Sequence, residues 1–324
     1  MRKIIGIGET ILDIIFRNGQ PSKAVAGGST FNTTISLGRL GLKTSLITEL
    51  GNDQIGNFII DFMKENGVGT ECIDIYNPEE GKTPVSLAFL DENNNAHYTF
   101  YHQYPDSRLN VVWPRIDEGD ILIFGSYFSV NPVLRQRITD IIQYAKTRKA
   151  IVYYDPNFRP AHSHETMKLM PSILENLEYA DIVRGSSEDF QVLFGRKVGN
   201  AESVDAIQKI AEKTYVDNIK FYCPNFIYTA GDKGVFFFCN EGYRRFETRK
   251  IIPVNTIGAG DTFNAGILFG LISHDVTLDN LNTLTLEEWG AIIDYGIEFS
   301  TAVCMSEENY LPQTEAAAYR VKQA

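Results

Sequence analysis

Short runs rich in β-branched and aromatic residues alternate along this chain with segments of helical spacing. That alternation limits the architecture more than any other feature. The runs predict strands at 3–7, 45–49, 121–124, 150–154, 182–183, 226–229 and 235–238. Between them Ile55, Phe58, Ile59, Phe62 and Met63 repeat at helical spacing, with Gly67 as the stop. Asn131-Pro132 predicts a cap followed by a first-turn proline, and Leu134, Ile138, Ile141, Ile142 and Ala145 continue one apolar stripe. Ile207, Ile210 and Ala211 mark another helix, and Trp289, Ile292, Ile293, Gly296, Ile297 and Ser300 a late one. Strands separated by helices in this way predict an α/β fold, a mostly parallel sheet with helices on both faces.

Several predicted strands run into small or polar residues: Gly8-Glu9, Gly125-Ser126, Asp155, Gly185-Ser186 and Gly231. Ligands of open α/β sheets bind beyond the carboxyl ends of the strands, so these residues predict one shared edge that carries the site. Two segments break the pattern. Residues 11–26 read as strand, not helix. In 83–103, Val85, Leu87 and Phe89 alternate, 91–95 supplies a turn, and 97–101 returns as an aromatic strand. These pieces predict a small separate sheet that covers the site as a lid. Residues 195–203 read as a surface loop.

A chain of 324 residues suffices for one large α/β domain or two small ones. At that size roughly 75% of the unfolded surface can be buried, so no disulfide or metal is needed to hold the fold. The net charge of −11 argues against nucleic acid and anionic membrane as partners, which both want a basic face. Cys72, Cys223, Cys239 and Cys304 lie far apart without paired spacing, which suits reduced thiols better than a disulfide framework or a zinc site. The apolar stretch 4–7 is too short for a secretory signal and no run reaches a membrane span, so a cytoplasmic protein is expected.

Gly258-Ala259-Gly260 leads into Asp261 and an apolar run from Phe263 to Leu271. A small-residue turn opening a helix leaves backbone N–H groups without helical partners at the positive end of the helix dipole. Such a place holds phosphate. A carboxylate there repels an anion, so Asp261 is explained if it accepts a proton: amides hold the charge while Asp261 deprotonates an attacking hydroxyl. Taken alone, the tetrapeptide fits equally a tight turn with a capping Asp. Gly27-Gly28, ahead of Ser29 and a helix carrying Asn32, Ile35 and Leu40, permits close backbone approach to a ligand, with Asn32 offering its amide to a hydroxyl. An ordinary loop-to-helix joint with a solvated Asn32 is the alternative. Asp13 reads either as a bidentate acceptor for two sugar hydroxyls or as a surface charge. Asp155-Pro156-Asn157-Phe158-Arg159 ends an apolar strand, where proline stops the ladder. No Gly-x-x-x-x-Gly-Lys-Ser/Thr is present. Gly6-Ile7-Gly8 lacks the third glycine of a dinucleotide turn, since Ile11 stands there.

Taken together these pieces resemble the ribokinase-like, or PfkB, family of carbohydrate kinases. One signature resembles Asn255-Thr256-Ile257-Gly258-Ala259-Gly260-Asp261-Thr262-Phe263; another resembles Gly27-Gly28 through Asn32 to Leu40-Gly41, then Gly51-Asn52-Asp53 and Gly56. Asp155 to Arg159 and Thr229, Gly231 and Gly234 complete the set, in order and nearly end to end. The resemblance implies one Rossmann-like kinase domain over 1–324 with a β lid from about 11–26 and 83–103, often shared in a homodimer. It implies ATP and Mg²⁺. Asp261 would be the base on a primary hydroxyl, with Gly258, Ala259, Gly260 and Asp261 as the anion hole. Asp13, Gly27, Gly28, Asn32 and Arg159 would bind sugar under a lid aromatic, Phe100. Ser186, Thr229, Gly231, Gly234, Thr256, Gly258 and Gly260 would line the nucleotide. The family's metal-linked Asn-x-x-Glu becomes Ser186-Ser187-Glu188-Asp189, leaving Glu188 and Asp189 as alternatives on the metal's waters. Asn255 replaces a common Asp near a monovalent-cation site, which removes a charge from any potassium site.

Gly8-Glu9 and Asp-Pro-Asn-Phe-Arg-Pro are most similar to fructokinases and 2-keto-3-deoxygluconate kinases, so an ATP-dependent fructokinase is the leading expectation. A ketodeoxygluconate kinase, with Arg159 or Arg108 on the acid, is the second. A catalytically silent sugar- or nucleotide-binding protein is the alternative of another class; the retained Asp261 argues against it.

Overall fold

Strands buried on both faces need apolar residues at every position, not at alternate ones. That is how the central strands of this chain are built. The computed structural model describes residues 2–90, 96–158, 160–195 and 203–320. Its strands are β1 (Ile4–Ile7), β2 (Ile11–Arg17), β3 (Gln20–Gly27), β4 (Thr44–Gly51), β5 (Val68–Gly69), β6 (Ile73–Tyr76), β7 (Lys82–Leu90), β8 (Ala96–Gln103), β9 (Ile121–Gly125), β10 (Ile151–Asp155), β11 (Ile182–Ser186), β12 (Asn225–Thr229), β13 (Val235–Cys239) and β14 (Gly242–Phe246).

A ten-stranded sheet has the order β14-β13-β12-β11-β10-β9-β1-β4-β5, with β6 also on β4. Its strands pair in parallel except at one edge, where β12–β13 and β13–β14 are antiparallel. Ile121, Ile123, Ile151 and Tyr153 face one layer, with Phe263 and Ile267 of helix Ala259–Ser273 and Trp289 and Ile293 of helix Leu286–Cys304. Leu122, Phe124, Val152 and Tyr154 face the other, with Ile138, Leu169, Phe190 and Ile207 of helices Arg135–Thr147, Thr166–Tyr179, Ser187–Phe194 and Val204–Thr214. Full burial of one such side chain contributes about 1.5–3 kcal/mol. The expected mostly parallel sheet with helices on both faces is therefore present. Helices Ala259–Ser273 and Leu286–Cys304 touch backbone to backbone: a Cβ on Gly266 would lie 2.4 Å from the carbonyl oxygen of Tyr295.

The predicted lid is a four-stranded sheet, β3-β2-β7-β8. Here β2 pairs antiparallel with β3 and parallel with β7, and β7–β8 is the antiparallel hairpin; its turn, 91–95, lies outside the described residues. The register puts Val25, Asp13, Ser86 and Phe100 on one face. Val25 and Ser86 are buried, so this face looks inward. The other face carries Ile14, Phe16, Leu87, Phe89 and Tyr101, with the Phe16 and Phe89 rings stacked at 4.6 Å. Asp53 ties the lid to the body. As cap of helix Gln54–Glu65 it accepts from Gly56 N, and it also accepts from the amide and hydroxyl of Thr83 at the root of β7, each bond 2.8 Å long.

Some local expectations fail. Asn131-Pro132 does not open a helix. Asn131 Oδ1 accepts from Val133 N, Leu134 N donates to the carbonyl of Asn131, and the helix begins at Arg135, so the proline lies in a preceding turn. The segment expected at 182–183 extends to Ser186, and β5, β6 and β14 were not anticipated. A short 3₁₀ helix, Pro160–Glu165, precedes helix Thr166–Tyr179. Most of the loop expected at 195–203, residues 196–202, lies outside the described residues. Among the described residues no helix is long and apolar enough to cross a membrane.

Candidate active site

Two glycine-capped helices meet at the carboxyl edge of the sheet. Helix Ser29–Arg39 begins after Gly28, at φ 132°, and helix Ala259–Ser273 after Gly258, at φ 80°. Both angles lie in the region that favours glycine. Space requires it too: a Cβ would lie 2.2 Å from the Glu9 carbonyl oxygen at Gly28, and 2.0 Å from that of Asn309 at Gly258.

Asp261 stands in the first turn of the second helix and is held by the first. Ser29 Oγ donates to Oδ1 at 2.7 Å, Asn32 Nδ2 donates to Oδ2 at 2.8 Å, and Thr33 Oγ1 donates to the backbone carbonyl of Asp261 at 2.9 Å. The carboxylate is thus fixed between two helix N-termini, where partial positive charge favours an anion. Asn32 was expected to offer its amide to a sugar hydroxyl; here that amide orients Asp261. Its Oδ1 is buried without a hydrogen-bond partner. Ser29 and Thr33 were missed. The only sequence signal for them was their place just after Gly27-Gly28. In the expected anion hole, the amide of Ala259 donates to the carbonyl of Thr256 at 3.3 Å, closing the turn. Gly260 follows in the first helical turn, where amides have no helical acceptor.

On the lid, Ser86 Oγ donates to Asp13 Oδ1, and a Cβ on Gly27 would lie 3.0 Å from Asp13 Oδ2. Phe100 shares the face of Asp13 and is half exposed. Arg159 lies outside the described residues. Arg108 is buried in an ion pair with Glu49 at the end of β4, its guanidinium 3.5 Å from the centre of the Tyr104 ring. Burial pushes the Tyr104 hydroxyl up to about 12, against the pull of Arg108.

Further along the edge, Thr229 ends β12. Gly231 (φ 55°) and Gly234 (φ 112°) bound the turn into β13, and Thr256 is exposed ahead of Gly258. Asn255 Oδ1 accepts from Ile257 N at 3.0 Å. Ser186 caps helix Ser187–Phe194, and Asp189 closes the capping box. Asp189 Oδ2 accepts from the amide and hydroxyl of Ser186 at 2.6 and 2.7 Å, and Oδ1 accepts from Phe158 N at 2.8 Å. Burial, then the charge of Asp155, raises the Asp189 carboxyl to about 6. Of the two carboxylates left open by the sequence, Asp189 is therefore turned inward on backbone donors, and Glu188 is exposed.

The sequence matches the pfkB family of carbohydrate kinases over residues 1–288. The chain belongs to that family. It is accordingly an ATP-dependent sugar kinase, and its family implies a divalent metal alongside the nucleotide. The kinase is 28% identical over 288 residues to a fructokinase of Rhizobium leguminosarum bv. trifolii, covering 86% of this chain and 81% of that protein. It is 27% identical over 263 residues to a 5-dehydro-2-deoxygluconokinase of Geobacillus thermodenitrificans, covering 76% and 72%. Its fold matches the crystal structure of a fructokinase with bound ATP from Xylella fastidiosa with a TM-score of 0.77, at 19% identity over 98% of this chain and 97% of the other.

Proposed function

We propose that this kinase phosphorylates the primary hydroxyl of a neutral sugar, with fructose as the substrate. The observation that carries the reading is the carboxylate of Asp261, aimed by Ser29 and Asn32 at the junction of two helix N-termini. Asp261 takes the proton of the sugar hydroxyl as its oxygen attacks the γ-phosphate. The Gly260 amide and the dipole of its helix receive the charge that builds on the transferred group. Asp13, Gly27, Gly28 and Asn32, with Arg159, surround the sugar, and Phe100 closes over it to exclude water.

Ser186, Thr229, Gly231, Gly234, Thr256 and Gly258 line the nucleotide, and the exposed apolar side chains of Ile252, Val254 and Ile257 beside that turn offer a surface for its base. Mg²⁺ that arrives with a nucleotide needs only one or two protein carboxylates. The donor set fits: among the described residues no three ligating side chains cluster, while Glu188 presents an exposed carboxylate in the first turn of helix Ser187–Phe194. Glu188, not Asp189, would hold the metal's waters, and the metal would neutralise phosphate charge. We place the enzyme in the cytoplasm, where its four unpaired thiols stay reduced.

An acid substrate needs a cation, and Arg108 already has Glu49. That leaves Arg159 as the one cation named for a keto acid, and the similarity to fructokinases favours fructose over 2-keto-3-deoxygluconate. The test is a panel of fructose, ribose, 2-keto-3-deoxygluconate and adenosine with ATP and Mg²⁺. Fructose should give the highest kcat/KM. Faster turnover of the keto acid would remove the neutral-sugar reading, and tight sugar binding without ADP release would point to a silent binding protein.

A further inference from the structure

Beneath the anion-holding turn lies a cation that proton abstraction does not use. Arg184 is 6% exposed, on a strand whose neighbours are buried and apolar. Its Nη1 donates to Asp155 Oδ2 and its Nη2 to Thr229 Oγ1, each at 2.9 Å, while Nε is buried without a partner. The same guanidinium lies under Gly260, where a Cβ would sit 3.0 Å from both terminal nitrogens. Asp155 Oδ2 also accepts from Asn264 Nδ2 at 2.6 Å, one turn beyond Asp261, and Asn264 Oδ1 accepts from Tyr153 OH at 2.9 Å. Asp155 Oδ1 accepts from the amide of Asn157, whose φ of 37° is left-handed, and Asp189 Oδ1 holds the next amide, Phe158. One fork therefore joins the end of β10, the end of β12 and the first turns of the helix that carries the base.

An ion pair this deep is rarely retained for stability, because an apolar replacement of similar volume often serves as well. Charge gives a reason. Without Arg184, Asp155 and Asp189 would leave uncompensated negative charge beneath the place where the transferred phosphoryl group becomes more negative. Shape gives a second: a planar guanidinium can bond two partners on different strands and still lie flat under a glycine, which an ammonium cannot.

We infer that Arg184 is a positioning residue for phosphoryl transfer, fixing the Gly258–Asp261 turn against the nucleotide-side Thr229 and cancelling the buried carboxylates below it. This inference rests on the sugar-kinase reading of the site.

The test compares full-length Arg184→Lys and Arg184→Met with the parent enzyme, at saturating ATP, Mg²⁺ and the best sugar of the panel, with thermal unfolding measured in parallel. Misplacement of reacting groups by about 1 Å can cost ~10²-fold, so Arg184→Met should lower kcat by about that factor while the sugar KM stays within about twofold. Arg184→Lys keeps the charge and should recover only part of the loss, about tenfold below the parent. Should the Met variant not fold, the Lys variant decides alone: a folded Lys variant with parental kcat overturns the inference. So do variants that lose melting temperature but keep parental kcat per folded molecule, since they show a structural role only. Failure of the parent enzyme to phosphorylate any sugar would instead overturn the function reading, independently of Arg184.

Discussion

The carboxylate of Asp261 is doubly hydrogen-bonded, and its partners determine what a substitution there does. Asp261→Asn is nearly isosteric but places an NH₂ group where Asn32 Nδ2 already donates, or else faces it toward the Ser29 hydroxyl, which can turn to accept. The fold should tolerate the change, while the proton acceptor is lost. A general base contributes ~10²–10⁴-fold, so kcat should fall at least about 10²-fold with the sugar KM little changed. Steady-state kinetics at saturating ATP checks this; near-parental turnover would remove Asp261 as the base. The residue itself was legible because Gly258-Ala259-Gly260 sits beside it in the chain. Ser29 and Thr33, which orient it, were not: they lie more than two hundred positions away, and nothing local joins the two helix starts. Arg184 left a fainter signal, a single charge in an otherwise apolar strand, whose meaning depends on partners from β10 and β12.

At the level of the element, helix Ser187–Phe194 shows how one stretch of sequence can fit two roles. Ser186-Ser187-Glu188-Asp189 stands by resemblance at the family's metal-linked Asn-x-x-Glu, with Glu188 and Asp189 as alternatives; the spacing of Ser186 and Asp189 is also what a capping box requires, and the structure forms that box. The cap has a pH signature. The folded-state pKa of Asp189 is raised by burial and by Asp155 to about 6, above an unfolded value near the ordinary ~3.9. Between those values the native state binds more protons than the unfolded state, so stability falls as pH rises through that window. Asp189→Asn removes this titration. Its stability deficit relative to the parent should therefore be largest near pH 4, shrink toward pH 6, and stay constant above. Urea unfolding of both proteins across pH 4–7 checks it; parallel curves would show that Asp189 titrates alike in both states. The Asn131-Pro132 error has a similar cause. Proline suits a first helical position and a turn equally, and only the bonds of Asn131 to Val133 and Leu134 decide for the turn.

For the whole molecule, the sequence disclosed the class of fold but not the order of its strands. Continuous apolar runs imply a sheet covered on both faces, whichever strands are neighbours; β1 between β4 and β9, or β13–β14 folding back at one edge, depends on contacts far apart in the chain. The lid was readable because its hairpin alternates, and that alternation also exposes its unresolved need. The inward face holds Asp13, Ser86 and Phe100, while Phe16, Phe89 and Tyr101 look outward. Phe89 and Tyr101 remain 42% and 59% exposed, and among the described residues β8 pairs with β7 alone. Apolar side chains beside an open strand edge seek a partner. We propose that a second copy of the chain covers this face, lid against lid. The kinase should then sediment as a dimer at micromolar concentration, and Phe89→Glu with Tyr101→Glu should yield monomers. Because Phe100 lies on β8 next to Tyr101, losing the partner should loosen the sugar cover and raise the sugar KM more than the ATP KM. A parent enzyme that is monomeric across the range, or a monomeric variant with both KM values unchanged, would separate the lid from assembly.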